Sequence, residues 1–370
     1  MFAKPQTPFE LKAKMLCEGV NPDSSVVEMF LQQNPSNVKR GGLSSGGKME
    51  LDGHLFVNAP FYRKWQVDLH LTADPMLSNG VVVMQDGDEV GRGRVLSAPS
   101  WYGEMVDGFP ITQILTAHNR QLAASVYEDC ALFAAGTQCE FCVIRYSLAQ
   151  RDPRLVKKSG SLFLKALERI PADAYGGLTI NGGLTFSRGR GMEIFVPVVT
   201  AIRKQYPDLP IAVEITPPTD RKWIDRLADA GVSSLMMNLE CWDADVRRRT
   251  IPGKDAICPR GMYLYAFDRA VEVFGAGRVS TCFVVGTEPE ESLREGIREV
   301  VRHGVIPSML AGRTFEDVAG YPFSKTADTQ MFLDVVRFSA QVMKDFGIST
   351  TDKAGCVACG MCDIIRDCID

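Results

Sequence analysis

What the chain lacks narrows its function before any motif is read. No apolar run in the 370 residues approaches the ~18 that a membrane span needs. Basic charge is not in excess: 41 Lys and Arg face 45 Asp and Glu, for a net charge of −4. No Lys/Arg-rich run stands out as a surface for nucleic acid or anionic lipid. Met1-Phe2-Ala3-Lys4-Pro5 has no apolar segment of the kind that opens a signal peptide. The expectation is a cytoplasmic protein with neither a nucleic-acid nor a membrane partner. Histidine is scarce, and His54, His70, His118 and His303 have neither zincin nor triad spacing; they are expected to be surface or satisfied residues. There is no solenoid-type repeat. Gly42-Leu43-Ser44-Ser45-Gly46-Gly47-Lys48 resembles a phosphate-binding loop, but Met49 stands where Ser or Thr would meet magnesium and no apolar strand precedes it. It reads as a plain loop.

Cysteine is what the chain has in excess, with eleven residues. In a reducing compartment, clustered thiols point to metal or redox chemistry rather than disulfides. One group is Cys130, Cys139 and Cys142; the other is Cys356, Cys359, Cys362 and Cys368. Cys17, Cys241, Cys258 and Cys282 stand alone and are expected to be small buried apolar residues.

From about residue 150 the chain alternates between helical stretches and short β-branched runs. Helices are expected over 154–169, 192–206, 220–230, 258–274 and 330–346. Leu293, Ile297, Val300 and Val301 give another helix its apolar face. Strands are expected over 178–180, 211–215, 234–239, 279–285 and 306–310, with a first strand near Ala131–Ala134. About six such units imply an α/β protein with a partial (β/α)6 parallel barrel. Ligands of such folds sit at the carboxyl ends of the strands. Residues 1–100 break the rhythm: Val81–Met84 and Val90–Val95 flank Gln85-Asp86-Gly87-Asp88 as a hairpin. The expected organisation is an N-terminal, partly β accessory region (1–100), the barrel (101–346) and a short Cys-rich tail (347–370).

Thiolates are soft ligands that suit iron–sulfur clusters or zinc. Structural zinc takes four closed ligands, and no fourth Cys or His lies near Cys130, Cys139 and Cys142. Three thiolates that leave one iron of a four-iron cluster open fit better. Cys139-Glu140-Phe141-Cys142, a Cys-x-aromatic-Cys after a first strand, resembles the radical S-adenosylmethionine (SAM) superfamily. The usual first spacing in that family is three residues; here it is eight, and Ala135 occupies the usual position. The resemblance implies a 4Fe-4S cluster that binds SAM and cleaves it reductively to a 5′-deoxyadenosyl radical. That radical takes hydrogen from a small-molecule substrate.

The resemblance extends along the barrel, over about residues 125–345. Asn181-Gly182-Gly183-Leu184-Thr185 is similar to the Gly-Gly-Glu segment that meets the methionyl amino group, with Leu184 in place of the acid. Asn238-Leu239-Glu240 is similar to the ribose-binding segment of biotin and lipoyl synthases; an amide and a carboxylate can hold paired hydroxyls. Arg249, from Arg247-Arg248-Arg249, is the choice for the SAM carboxylate. Phe283–Glu288, including Gly286, resembles the segment near adenine. Phe141 and Glu214 complete the implied cofactor site, with Glu214 either reaching the cavity or capping a neighbour, and Arg313 or Tyr321 would touch substrate. The nearest flavour is the biotin/lipoyl synthase branch, or the radical SAM proteins of nitrilase-type gene clusters.

The tail, Cys356-Val357-Ala358-Cys359-Gly360-Met361-Cys362 with Cys368 beyond, is ferredoxin-like in its C-x2-C-x2-C spacing. It implies a second, auxiliary iron–sulfur cluster; a zinc knot is the rival. Sulfur insertion and hydrogen abstraction followed by rearrangement or oxidation both remain open. So do a non-enzymatic iron–sulfur carrier and a zinc-stabilised barrel. A flavodoxin- or ferredoxin-type electron donor follows from the need for low-potential electrons.

Overall fold

A computed structural model describes residues 4–36, 46–61, 68–149, 152–314, 323–349 and 355–369. Tyr321 lies outside them, as do residues 42–45 of the phosphate-loop look-alike.

The N-terminal layer opens with α1 (Pro8–Glu18), β1 (Asn21–Pro22) and α2 (Ser24–Gln32). Pro8 occupies the first turn of α1, where its missing N–H costs nothing, and Thr7 Oγ1 caps the Glu10 amide. Then come β2 (Gly47–Leu51), β3 (Leu55–Ala59), β4 (Leu69–Ala73), β5 (Gly80–Gln85) and β6 (Asp88–Val95), in one sheet of order β1-β4-β5-β6-β2-β3. The expected hairpin is β5–β6. Its turn residues Asp86 and Gly87 have φ of 51° and 84°, the left-handed pair that a tight hairpin requires. A small hairpin, β7 (Met105–Val106) and β8 (Phe109–Pro110), follows.

The second sheet comprises β9 (Thr116–His118), β10 (Gln121–Tyr127), β11 (Gly177–Gly182), β12 (Ile211–Glu214), β13 (Ser234–Met236), β14 (Val279–Val285) and β15 (Ile306–Ala311). From β10 to β15 all pairings are parallel and follow chain order; β9 is an antiparallel edge. Sequential order with right-handed crossovers sends every connecting helix to the same face. The sheet therefore curls into an open partial barrel of six parallel strands, as expected, with its other face free to line a cavity. β14, Val-Ser-Thr-Cys-Phe-Val-Val, is buried along its whole length, as a strand covered on both faces must be.

One expected strand is misplaced. Ala131–Ala134 is a short helix, α3, and the first parallel strand is β10, upstream of Cys130. The expected helix over 154–169 is a 3-10 turn (Pro153–Leu155) followed by α5 (Gly160–Leu167), after α4 (Ile144–Ala149). Ser159 caps α5 and sets its start. The other helices are α6 (Met192–Gln205), α7 (Lys222–Asp229), α8 (Ala244–Thr250), α9 (Pro252–Ile257), α10 (Arg260–Phe274), α11 (Glu290–Arg302) and α12 (Thr329–Asp345). Leu293, Ile297, Val300 and Val301 are the buried face of α11. The tail forms α13 (Cys356–Cys359) and α14 (Ile365–Ile369).

Candidate active site

Alternate residues of successive strands point to the concave face of the barrel. They are Ala123, Thr179, Asn181, Glu214, Met236, Cys282, Val284, Ser308 and Leu310, and together they line one cavity. Several are polar. Ser125 Oγ donates to Asn181 Oδ1 at 2.7 Å, and Asn181 Nδ2 to Glu214 Oε2 at 3.5 Å. The network ties β10, β11 and β12 together.

Cys130, Cys139 and Cys142 line the same cavity at the carboxyl end of β10. Their loop is stitched to the next strand: Gly183 N donates to Tyr127 O at 3.0 Å, and Ala131 N to Leu184 O at 2.9 Å. Gly183 is needed at this seam, because a Cβ there would stand 1.9 Å from Asp129 O and 2.6 Å from Cys130 Cβ. Phe141 packs edge-to-face on Phe323, with ring centres 5.9 Å apart, and also lines the cavity.

Gly182, Gly183, Leu184, Glu214, Asn238 and Glu240 all line this cavity. Thr185, Arg249 and Gly286 are not in its lining. Thr185 Oγ1 donates instead to Glu193 Oε1 at 3.1 Å. Arg249 is exposed on α8. Gly286, at φ 97°, lies so close to Thr326 O that a Cβ would approach it to 2.6 Å. Within Phe283–Glu288, Val284 reaches the cavity. Glu288 instead accepts from the Trp242 and Asp243 amides at 2.8 and 2.6 Å.

Sequence reading missed Lys254. It lines the cavity, and its Nζ lies 2.9 Å from Glu240 Oε1 and 2.8 Å from Asn238 O. Burial pushes the ammonium toward neutrality, but the Glu240 carboxylate outweighs that and holds its pKa well above the ordinary lysine value. Cys282 Sγ donates to the other Glu240 oxygen at 3.2 Å. Glu240 has φ 72°, a backbone conformation that non-glycine residues seldom adopt outside constrained sites. Arg247, wholly buried, builds the loop behind it, donating to Leu239 O at 2.7 Å, Cys241 O at 3.0 Å and Asp255 Oδ1 at 2.7 Å. The helical spacing of Val246, Arg247 and Thr250 on the buried face of α8 was the available signal that Arg247, not Arg249, turns inward.

Cys356, Cys359 and Cys362 line the same cavity as the first three cysteines. Cys368 does not; it packs half-buried against the main core. Of the isolated cysteines, Cys17, Cys241 and Cys258 are buried as expected; Cys282 is buried too but belongs to the cavity wall. Arg313 is buried as well and is not in that wall.

Among the described residues, no three His, Cys, Asp or Glu side chains are gathered into a metal-binding group. The two cysteine trios share a cavity wall instead. The donor set still fits soft metal chemistry. Burial pushes the Cys139 thiol well above its ordinary range and raises Cys359 to about 12. A coordinated metal reverses that order, because a ligating thiol gives up its proton. Asn238 Oδ1 fits a hydroxyl ligand: it is buried with no partner among the described residues.

No protein-family model matches the chain. It is 28% identical over 246 residues to the bacteriochlorophyllide c C-7(1)-hydroxylase of Chlorobaculum limnaeum, covering 60% of this chain and 60% of that one. The chain thus matches less than two thirds of its curated relative's length. Among solved structures, a radical SAM methyltransferase from Sphaerobacter thermophilus is 16% identical, over 77% of this chain and 76% of that one, with a TM-score of 0.47. Coproporphyrinogen III oxidase from Escherichia coli, a radical SAM enzyme, is 14% identical, over 47% and 41%, with a TM-score of 0.38. Both scores are low, and the chemistry rests on the cavity's own residues. In the Cys130, Cys139 and Cys142 pattern, and in the partial parallel barrel that carries it, the chain resembles the radical SAM superfamily of enzymes.

Proposed function

We propose that the chain is a radical SAM enzyme acting on a small molecule held in the barrel cavity. One observation carries this reading: Cys130, Cys139 and Cys142 line a single cavity with Gly182, Gly183, Asn238 and Glu240. Those are the residues that the resemblance assigns to cluster, methionyl group and ribose. A four-iron cluster there, with SAM, would supply a 5′-deoxyadenosyl radical. The chain's own part is to bind and orient. The three thiolates would hold three irons of such a cluster and leave the fourth open to SAM. Gly182 and Gly183 let the backbone approach a ligand closely. Lys254 fixes the Glu240 carboxylate and the main-chain carbonyl of Asn238, which holds this loop in one arrangement at the cavity wall. Low-potential electrons would come from a flavodoxin- or ferredoxin-type donor, and the tail cysteines would hold an auxiliary cluster.

The reaction class best supported is oxidation at a substrate C–H bond, because the curated relative is a hydroxylase. Sulfur insertion is the second reading, kept by the cysteine tail that shares the cavity. The decisive experiment is anaerobic reconstitution with iron and sulfide, then dithionite and SAM, with 5′-deoxyadenosine measured by chromatography. Formation of 5′-deoxyadenosine, lost in Cys130→Ala, supports the reading. Zinc alone, with no SAM cleavage, overturns it.

A further inference from the structure

We propose that Asp363 is a specificity residue: one of its carboxylate oxygens, set in the floor of the barrel cavity, accepts a hydrogen bond from a hydroxyl or amino group of the substrate. This deepens the proposed function and rests on its reading of the cavity as the substrate site.

The tail builds that floor because the inner wall of the barrel leaves room for it. Ala123, Thr179, Ala212 and Ser234 are small and stand side by side in register on β10 to β13. Gly355 lies against them: a Cβ there would stand 2.5 Å from Ala212 Cβ and 3.6 Å from both Ser234 Oγ and Thr179 Oγ1. From Gly355 the tail crosses to β15, where the Ser308 hydroxyl donates to Asp363 Oδ2. The segment around Asp363 is pinned. Met361 and Ile364 are wholly buried, and Asn58 N on β3 donates to Met361 O at 2.8 Å. Gly360 ends α13 with φ 64°, and its carbonyl accepts from the wholly buried Lys12 at 2.6 Å. The same ammonium pairs with Asp367 at 2.5 Å, so Lys12 is already committed on the outer side of the tail.

Asp363 itself points to a ligand. It is 3% exposed and lines the cavity, and its Oδ1 has no partner among the described residues. A carboxylate oxygen buried bare is costly, and a donor on a bound molecule removes that cost. The wall above it is apolar. Two residues further along β15, on the same face, Leu310 lines the cavity beside Val284, its partner in register on β14. A molecule whose hydroxyl or amino group meets Asp363 thus lays its carbon skeleton along Val284 and Leu310. That direction leads to the carboxyl end of the strands, where Cys130, Cys139 and Cys142 line the cavity and the proposed radical would form. Asp363 fixes the polar end of the substrate, and so decides which carbon is presented at the other.

The test titrates four small molecules into the full chain, reconstituted anaerobically with SAM present and unreduced, and follows binding by saturation-transfer NMR. Butan-1-ol and butylamine each carry a donor. Methyl butyl ether and butyltrimethylammonium keep the alkyl chain, and the second keeps the charge, but neither has a donor. At least one donor molecule is expected to bind about 10- to 100-fold more tightly than its donor-less counterpart. The tighter of the two donors tells hydroxyl from amine. In Asp363→Asn the Ser308 hydroxyl keeps the side-chain oxygen and the amide NH2 turns to the cavity. The donor advantage should then vanish, methyl butyl ether should gain, and the iron content should stay. The inference is overturned by equal binding with and without a donor, by no binding of either donor molecule, by an advantage that persists in Asp363→Asn, or by one lost only together with iron. The comparison within the unmutated chain stands whether or not the variant folds. SAM cleavage is assayed on the same preparation after reduction; its absence, with the donor preference intact, would count against the proposed function and not against Asp363.

Discussion

The two cysteine trios share one cavity but are built in opposite ways. Cys130, Cys139 and Cys142 are local: their loop is fixed by the neighbouring strand end at Gly183 and by α9, where a Cβ on Gly253 would meet Thr137 O at 2.5 Å. The tail trio is held from afar, by Asn58 and Lys12, which come 304 and 348 residues earlier in the chain. Each trio also has a buried cation nearby. Lys254 pairs with Glu240 on the first side, and Lys12 with Asp367 on the second. The first trio is therefore held within the barrel, whereas the second is held by the N-terminal layer and the barrel sheet together, through Asn58 and Lys12 on one side and His118 and Ser308 on the other.

The sharpest way to break this comparison is to remove one thiolate from each side. Cys139→Ala is expected to abolish 5′-deoxyadenosine formation and remove about four irons. Cys359→Ala is expected to remove a similar amount of iron while SAM cleavage without substrate persists. Iron analysis and the chromatographic assay, run on the same preparations, check both. If the tail variant also stops SAM cleavage, the trios are one unit and the contrast is wrong.

Next come the buried cations. Lys254→Met leaves the Glu240 carboxylate buried without its partner, a change that costs about 3–5 kcal/mol. Urea unfolding should show it as a lower midpoint. Adding Glu240→Gln should recover part of the loss. Lys12→Met strips donors from Gly360 O and from the partly exposed Asp367, so about 1–3 kcal/mol is expected. Its clearer signature is loss of tail iron with first-site iron kept.

Gly183→Ala probes the local seam. The added methyl meets Asp129 O and Cys130 Cβ, and overpacking of this kind costs about 1–3 kcal/mol. Iron should fall at the first site and stay at the tail. Equal loss at both would mean that the barrel, not the N-terminal layer, sets the tail.

How much of this was legible in the sequence follows from the same contrast. Five of the six parallel strands were readable because each is a short apolar run set between helices that carry an apolar face. Asn181 and Glu214 were readable because they stand at the carboxyl ends of β11 and β12, and Asn238 and Glu240 because they follow β13. The first strand was misplaced because Gln121–Tyr127 carries three small residues, Ala123, Ala124 and Ser125, and gives no strong apolar run, while Ala131–Ala134 lies beside a conspicuous cysteine. Lys254 was passed over because a lone lysine after an arginine run looks solvated. Only the bend from α8 into α9 turns it inward. Nothing local announces that Asn58 faces Cys362, because that contact exists only after both ends of the chain have folded onto the barrel.

The smallest expected effect supplies the control that the comparison needs. Asp23 belongs to the N-terminal layer but touches neither trio. Its Oδ1 caps α2 by accepting from Val26 N at 3.0 Å, and its Oδ2 accepts from Ala73 N on β4 at 3.2 Å. Asp23→Ala should cost about 1 kcal/mol, the usual loss for an N-cap. Its pH dependence has a definite sign. Burial alone would raise the Asp23 pKa, but hydrogen bonds from the Ser25 hydroxyl and from the Val26 and Ala73 amides outweigh it and hold the pKa below the ordinary aspartate value. A carboxylate with a depressed folded-state pKa stabilises the fold above its unfolded value of 3.8. That contribution is lost as pH falls through the lower, folded-state pKa. The stability difference between wild type and Asp23→Ala should therefore be flat near neutrality and shrink only in acid, as urea titrations at a series of pH values would show. Tail iron should not change in this variant. If it falls as far as in Lys12→Met, any weakening of the N-terminal layer empties the tail, and Asn58 and Lys12 have no special role in holding it.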